Sequence, residues 1–325
     1  MVNLVEAQKP LLRGLMKLAG LKPHTVEIEQ NTVMNFWVPS ETLKENKKPN
    51  NKPIVVLIHG FAAEGIVTWQ FQVGALTKKY RVYVPDLLFF GGSTTDSADR
   101  SPSFQADCLV TGFRKLGVEK CSIVGFSYGG MVAFKMAERY PDLVQAMVIS
   151  GSVLAMTDSL GDDCLNRLGF SSSSDLLLPN SVKGLKALLS VAVHRKLWFP
   201  DRLHRDFLEV MFTNRKERAE LLEGLVISNK DITIPNFTQI GFLFCFLTED
   251  TPTLGRGRSN IQPRPCFEHE MLSESLRLQL GDKTTLQGIQ KAGHLVHLER
   301  PCVFNKCLKE FLASLHAVAE DRKQQ

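Results

Sequence analysis

Gly125-Phe126-Ser127-Tyr128-Gly129 sets a hydroxyl between two glycines, each two positions away. Such a serine becomes a nucleophile when a sharp strand-to-helix turn lifts it clear of its neighbours, and side chains at the flanking positions would collide in that turn. The hydroxyl then needs a base, and the oxyanion formed on attack needs two convergent N–H donors. His294, in Ala292-Gly293-His294-Leu295-Val296-His297-Leu298-Glu299-Arg300-Pro301, follows a glycine on a loop ahead of the last helix. From there it would take the proton from Ser127 and return it to a leaving group. His59-Gly60-Phe61 directly follows an apolar run, which suits the donor loop. The amides of Phe61 and Tyr128 are the expected oxyanion donors. His59 is expected to hold its own loop by side-chain hydrogen bonds, and His297 to pack or cap.

These residues need a scaffold that brings positions 59, 127 and 294 to one edge. Ile54–Ile58 is a continuous apolar, β-branched run bounded by Pro53 and Gly60, the pattern of a strand buried on both faces. Further runs at 81–85, 121–125 and 146–150 end at Asp86, Ser127 and Gly151, with helical patterns between them, as at 131–140. Alternating strands and helices predict an α/β fold with a mostly parallel, doubly wound sheet and helices on both faces. Reactive groups in such sheets gather at the carboxyl ends of the strands. From 152 to 237 strand-like runs vanish and helical patterns take over, as at 183–193 and 204–212. This segment reads as a helical cap whose Leu176, Leu197, Trp198, Phe207, Met211 and Phe212 line a pocket or form its own core. The expected divisions are a core from 1 to 151, the cap from 152 to 237, an irregular segment from 238 to 279, and a C-terminal core part from 280 to 325. A closing helix is expected at 303–315.

Composition narrows the class. The chain has 325 residues, is 44% hydrophobic and 22% charged, and so has ample apolar content for a packed core. Its seven cysteines contain no C-x-x-C pair, which argues against a zinc site or a disulfide framework and for a reducing compartment. A net charge of +5, without a basic tract interleaved with aromatics, does not point to nucleic acid. Neither a leader-like start nor a run of about 18 apolar residues is present, so the sequence predicts a cytoplasmic chain without a transmembrane helix. Residues 8–20 (QKPLLRGLMKLAG) mix leucines with Lys9, Arg13 and Lys17. They predict a short helix packed on the domain, with peripheral membrane contact as the alternative. The sequence does not set an oligomeric state.

The segments H-G-F, V-P-D-L-x-x-F-G-x-S, G-F-S-Y-G-G-M-V-A and A-G-H-L-x-H-L-E-R-P resemble those of the α/β-hydrolase family. The resemblance is greatest to its plant branch of monoacylglycerol-lipase-like and esterase-like proteins, and it covers residues 30–237 and 278–317. It implies an acyl-enzyme hydrolase with a helical cap and no cofactor; no metal site is expected, and the apolar cap suggests a small apolar ester, such as a monoacylglycerol, as substrate. Carbon–carbon bond hydrolysis by the same serine and histidine is an alternative. The family's epoxide-hydrolase cousins use an aspartate nucleophile, against which Ser127 argues. Asp86 and Ser93 match a family loop that is structural.

The resemblance breaks where the family carries W-G-x-x-D, whose aspartate orients the histidine. Residues 252–265 (PTLGRGRSNIQPRP) make neither a good strand nor a good helix. With suitable synonymous codons, residues 249–261 read one base out of frame as R-I-H-L-L-W-G-E-V-D-Q-T-F, which is the missing family segment. A retained intron followed by an out-of-frame exon is the reading this suggests. Within the chain as it stands, Ile240–Leu247 is apolar enough to take the vacant strand slot, which would bring Asp250 or Glu249 to the place of the acid. Asp158 is a weaker stand-in. Without an orienting carboxylate, a non-catalytic or impaired ligand-binding protein or splice product is the competing reading.

Overall fold

The computed structural model describes residues 2–44, 51–154, 156–157, 165–166, 169–195, 198–227, 237, 240–248 and 284–324, with 157, 227, 246–248 and 316–324 described by their backbone alone. The chain opens with helix α1 (Leu4–Leu18), capped by the Asn3 side chain, and an antiparallel hairpin, β1 (Leu21–Glu29) and β2 (Thr32–Pro39). Asn31 turns that hairpin at φ 61°. The sequence reading had not anticipated these two strands. β1 mixes exposed polar and buried apolar positions and gives no continuous apolar run, and the two strands are defined by their pairing with each other and of β2 with the next sheet strand.

The predicted α/β alternation follows: β3 (Ile54–Ile58), short helices α2 (Gly65–Thr68) and α3 (Val73–Leu76), β4 (Arg81–Pro85), α4 (Pro102–Lys115), β5 (Cys121–Phe126), α5 (Tyr128–Arg139) and β6 (Val144–Ser150). After β7 (Met156–Thr157) come the helices of the insertion, α6 (Ser173–Leu177), α7 (Val182–Ala192), α8 (Asp201–Met211) and α9 (Arg215–Glu223), then β8 (Val226–Ile227). β7 and β8 pair in parallel, a small two-stranded sheet where no strand was expected. Two residues are too few for a pattern to register. The chain closes with β9 (Gly241–Thr248), β10 (Thr284–Gln290), α10 (Val296–Glu299) and α11 (Pro301–Gln324).

The main sheet has eight strands in the order β1-β2-β4-β3-β5-β6-β9-β10, parallel from β4 onward. This is the α/β-hydrolase fold read from the sequence. Alternation along β3 sends Val56 and Ile58 to one apolar cluster, with Phe113 of α4 and Val132 of α5. Val55 and Leu57 face the other cluster, with Met16 of α1, Trp69 and Leu308 of α11. Helices therefore cover both faces, which is why these strands are apolar throughout. β3 lies between β4 and β5, so the chain order reverses there. The crevice beyond the strand ends at such a switch point is where a doubly wound sheet places its ligand.

β9 fills the slot between β6 and β10 in parallel register, from Ala146↔Gly241 to Ser150↔Cys245 and from Thr284↔Phe242 to Gln290↔Thr248. The apolar run at 240–247 thus forms a core strand, with Phe242, Leu243, Phe244 and Cys245 buried. No helix among the described residues is long and apolar enough to cross a membrane.

Candidate active site

Ser127 sits between β5 and α5 with φ 52° and ψ −122°, a conformation that a residue with a side chain adopts only under strain of about 1–3 kcal/mol. Its amide donates to Ser150 O at 3.0 Å and its carbonyl accepts from Gly130 N at 2.8 Å. The flanking glycines are steric requirements. A Cβ on Gly125 would lie 2.8 Å from Gly129 O, and one on Gly129 would lie 2.4 Å from His59 O. Both obstacles are backbone, which cannot step aside. The turn holds Ser127 partly exposed at the carboxyl edge of the sheet.

The loop after β3 lies against this turn. A Cβ on Gly60 would come 3.1 Å from Ser127 Cβ and 2.8 Å from the Phe126 ring. The Phe61 and Tyr128 rings meet edge to face at 6.0 Å. Among the described residues neither the Phe61 nor the Tyr128 amide donates to an acceptor, so two N–H groups remain available beside the serine. Tyr128 begins α5, where the positive end of the helix dipole favours an anion. His59 is wholly buried: Nε2 accepts from Leu87 N at 2.9 Å, and Nδ1 donates to Gly60 O at 2.7 Å. Burial lowers its pKa to about 4, so it stays neutral and fixes the loop. Asp86 Oδ1 accepts from Gly65 N at 2.7 Å, while Ser93 Oγ donates to Asp86 O at 2.8 Å and accepts from Asn35 N at 2.9 Å. Burial, then the charge of Glu64, raises the Asp86 pKa to about 7. These two residues brace the loop after β4.

His294 lies on the loop between β10 and α10. Its ring is 5.0 Å from the Phe126 ring, one residue from the serine. The Nδ1–Cε1 edge covers Gly151, where a Cβ would come within 2.9 Å. Gly151, at φ 56° after β6, clears the seat of the imidazole. The structure thus brings Ser127, His294, Phe61 and Tyr128 to one edge, but no hydrogen bond joins the Ser127 hydroxyl to the imidazole. Such contacts are often loose before substrate binds. Burial lowers the His294 pKa to about 4, and no carboxylate among the described residues opposes that shift. Asp250, Glu249 and Asp158 lie outside the described residues. In the chain, 249 and 250 directly follow the carboxyl end of β9. His297 packs between Phe126, at 4.3 Å, and Trp69, at 5.1 Å, with neither ring nitrogen bonded. Burial, then the His294 charge, lowers its pKa to about 3.

Two side chains that sequence reasoning left without a role tie the insertion to this edge. Glu299 accepts from Gly293 N with one oxygen, and with the other from His194 N at 2.8 Å and Arg195 N at 3.3 Å. Leu295 N also donates to Ala192 O at 3.3 Å, and a Cβ on Gly293 would lie 2.6 Å from that same oxygen. The end of α7 therefore grips the loop that carries His294. Arg218 of α9 is buried, donates to Phe89 O at 3.1 Å and to Met211 O, and stacks 4.0 Å over the Phe90 ring. Burial lowers its pKa to about 10. Glu299 was signalled only as a carboxylate five residues after a loop histidine. Arg218 had no signal, because its partners are backbone carbonyls, one of them 129 residues away.

Residues 53–176 match the model of the α/β hydrolase fold family. Epoxide hydrolase 4 of Homo sapiens is 33% identical over 102 residues, which is 30% of this chain and only 27% of that protein's length. Monoacylglycerol lipase ABHD6 of Bos taurus is 24% identical over 290 residues, covering 85% of this chain and 80% of that protein. The crystal structure of a membrane phospholipase A, a bacterial virulence factor, superposes with a TM-score of 0.73 at 20% identity, covering 96% of this chain and 91% of that one. At that identity the likeness is one of fold.

Proposed function

From the match of residues 53–176 to the α/β hydrolase fold family, we propose that this chain is a serine hydrolase that cleaves carboxylic esters of apolar acyl or monoacylglycerol type. The observation that carries the reading is the strained turn at Ser127, flanked by free amides on one side and the His294 ring on the other. Ser127 Oγ attacks the ester carbonyl as His294 takes its proton. The Phe61 and Tyr128 amides hold the oxyanion. Collapse of the tetrahedral intermediate expels the alcohol, which receives the proton from His294 and leaves an acyl-serine. Water, deprotonated by His294, then releases the acid and restores the hydroxyl. Depressed by burial, His294 is neutral at pH 7 and ready to act as a base. In this reading Asp250 or Glu249, after β9, orients the imidazole. The insertion serves as a cap over the strand ends, and no cofactor is required. The likeness to monoacylglycerol lipase over most of both chains supports an apolar ester.

A second reading, an impaired or non-catalytic hydrolase fold, is favoured by one observation: no described carboxylate reaches His294. A fluorophosphonate probe separates the two. The active enzyme forms a covalent adduct at Ser127, found by peptide mass spectrometry and lost in Ser127→Ala. A folded wild-type chain that stays unlabelled sinks the enzyme reading.

A further inference from the structure

Among the described residues, helix α1 leaves an apolar face without a partner. Val5, Leu12 and Met16 point into the domain, whereas Leu4, Leu11, Leu15 and Leu18 are 46, 63, 43 and 88% exposed. These four stand at steps of seven, four and three residues. On a helix of 3.6 residues per turn they share a strip about 60° wide. The remaining positions on that side, Ala7, Gln8 and Gly14, carry no charge. Beyond Ala7 and Gly14 the next exposed positions are Pro10, Lys17, Glu6 and Arg13; Glu6 pairs with Lys9, whereas neither Arg13 nor Lys17 makes an ion pair among the described residues. Both line a cavity of about 480 Å³ with His24, Glu64 and Asp86.

The start of α1 is joined to the insertion. The carbonyl of Val2 accepts from Arg202 at 2.8 Å, and Leu4 N donates to Asp206 at 2.8 Å, so the start of α1 is fastened to α8. Just ahead of α8 stand Trp198, 85% exposed, and Phe199, 39% exposed. The same linker is held at its other end, at His194 and Arg195, by Glu299 of the histidine loop.

We propose that the outer side of α1 and the Trp198–Phe199 corner form one face that lies on an anionic lipid bilayer. Leucines in an uncharged strip suit the acyl boundary, an indole suits the interface, and unpaired Arg13 and Lys17 suit anionic headgroups. A second copy of the chain is a poorer occupant, since it would bring another +5 charge to the same surface. The proposal is independent of whether Ser127 is active. It also places the loop of His294 one linker away from the membrane.

The test is co-sedimentation of the full chain with vesicles of phosphatidylcholine mixed with phosphatidylserine, and with phosphatidylcholine alone. The wild type is expected to sediment with the mixed vesicles, and its emission to shift to the blue, a shift absent in Trp198→Phe. Leu11→Ser with Leu18→Ser lowers partitioning more than about tenfold. Arg13→Gln with Lys17→Gln does the same for mixed vesicles only. These side chains are exposed, so melting curves should match the wild type and confirm that each variant folds. The proposal is overturned if the wild type stays in the supernatant with both vesicles, or if the leucine variant binds like the wild type. It is equally overturned if light scattering shows a dimer that the leucine variant splits.

Discussion

The serine edge and the histidine edge of the site are built in different ways. Around Ser127 most of the constraint lies within five consecutive residues, a positive φ between two glycines, and the neighbouring strand ends add only the Ser150 carbonyl and the backbone at 58–59. Around His294 almost every constraint comes from far along the chain. Its seat is Gly151, its loop is clamped through Glu299 to residues 194 and 195, and the neighbouring slot is filled by β9. A nucleophile set by local sterics survives disturbance elsewhere. A base set by distant contacts depends on each element that reaches it, including the segment where the family resemblance breaks.

Three experiments break or sharpen this contrast, beginning with the largest effect. Restoring the frame, so that the segment after the insertion reads R-I-H-L-L-W-G-E-V-D-Q-T-F, returns a strand-end aspartate. If the present chain lacks an orienting acid, kcat should rise by about 10⁴-fold. The pH profile gives the sign independently. His294 must be neutral to act, and burial alone holds its pKa at about 4, so the acid limb of kcat/KM should lie near pH 4. A carboxylate favours the imidazolium, so the limb of the restored chain should move up toward 6.5. A present-chain limb already at 6.5 or above would mean that an acid after β9 reaches the histidine.

The next effect is on stability. Phe242 of β9 is fully buried, with its ring 5.5 Å from Phe237 and 5.9 Å from Phe244. Phe242→Ala should cost about 3–5 kcal/mol in denaturant unfolding. A loss under about 1 kcal/mol would mean that β9 occupies its slot without supporting the sheet. The smallest effect tests the clamp. Glu299→Gln turns an amide N–H₂ toward backbone donors that now meet a carboxylate oxygen. We expect kcat to fall about tenfold with KM for a small ester nearly unchanged. The acid limb should stay in place, since Glu299 contributes nothing to the His294 shift. A change in KM alone would assign Glu299 to the insertion rather than to the base.

Much of the scaffold was legible because burial on two faces leaves a plain mark. Ile54–Ile58 and the run at 121–125 read as strands, and the second extends one residue further, to Phe126. The hairpin of β1 and β2 was not legible, since its alternation is interrupted at Pro23-His24-Thr25 and its partner β4 is distant in sequence. The apolar run at 240–247 was legible as a filler for a vacant slot, and it became β9 because hydrophobic burial asks for shape and apolarity rather than for a particular motif.

The sequence by itself determined the central alternation of strands and helices and the turn at Ser127, and it singled out His294 as the candidate base, because periodicity and backbone sterics act over a few residues. Only the tertiary structure decided that Gly151 seats the imidazole, that Glu299 and Arg218 fasten the insertion, and that the leucines of α1 lack a partner. Those are relations between segments up to two hundred residues apart, and no local pattern records which surfaces meet when the chain closes on its core.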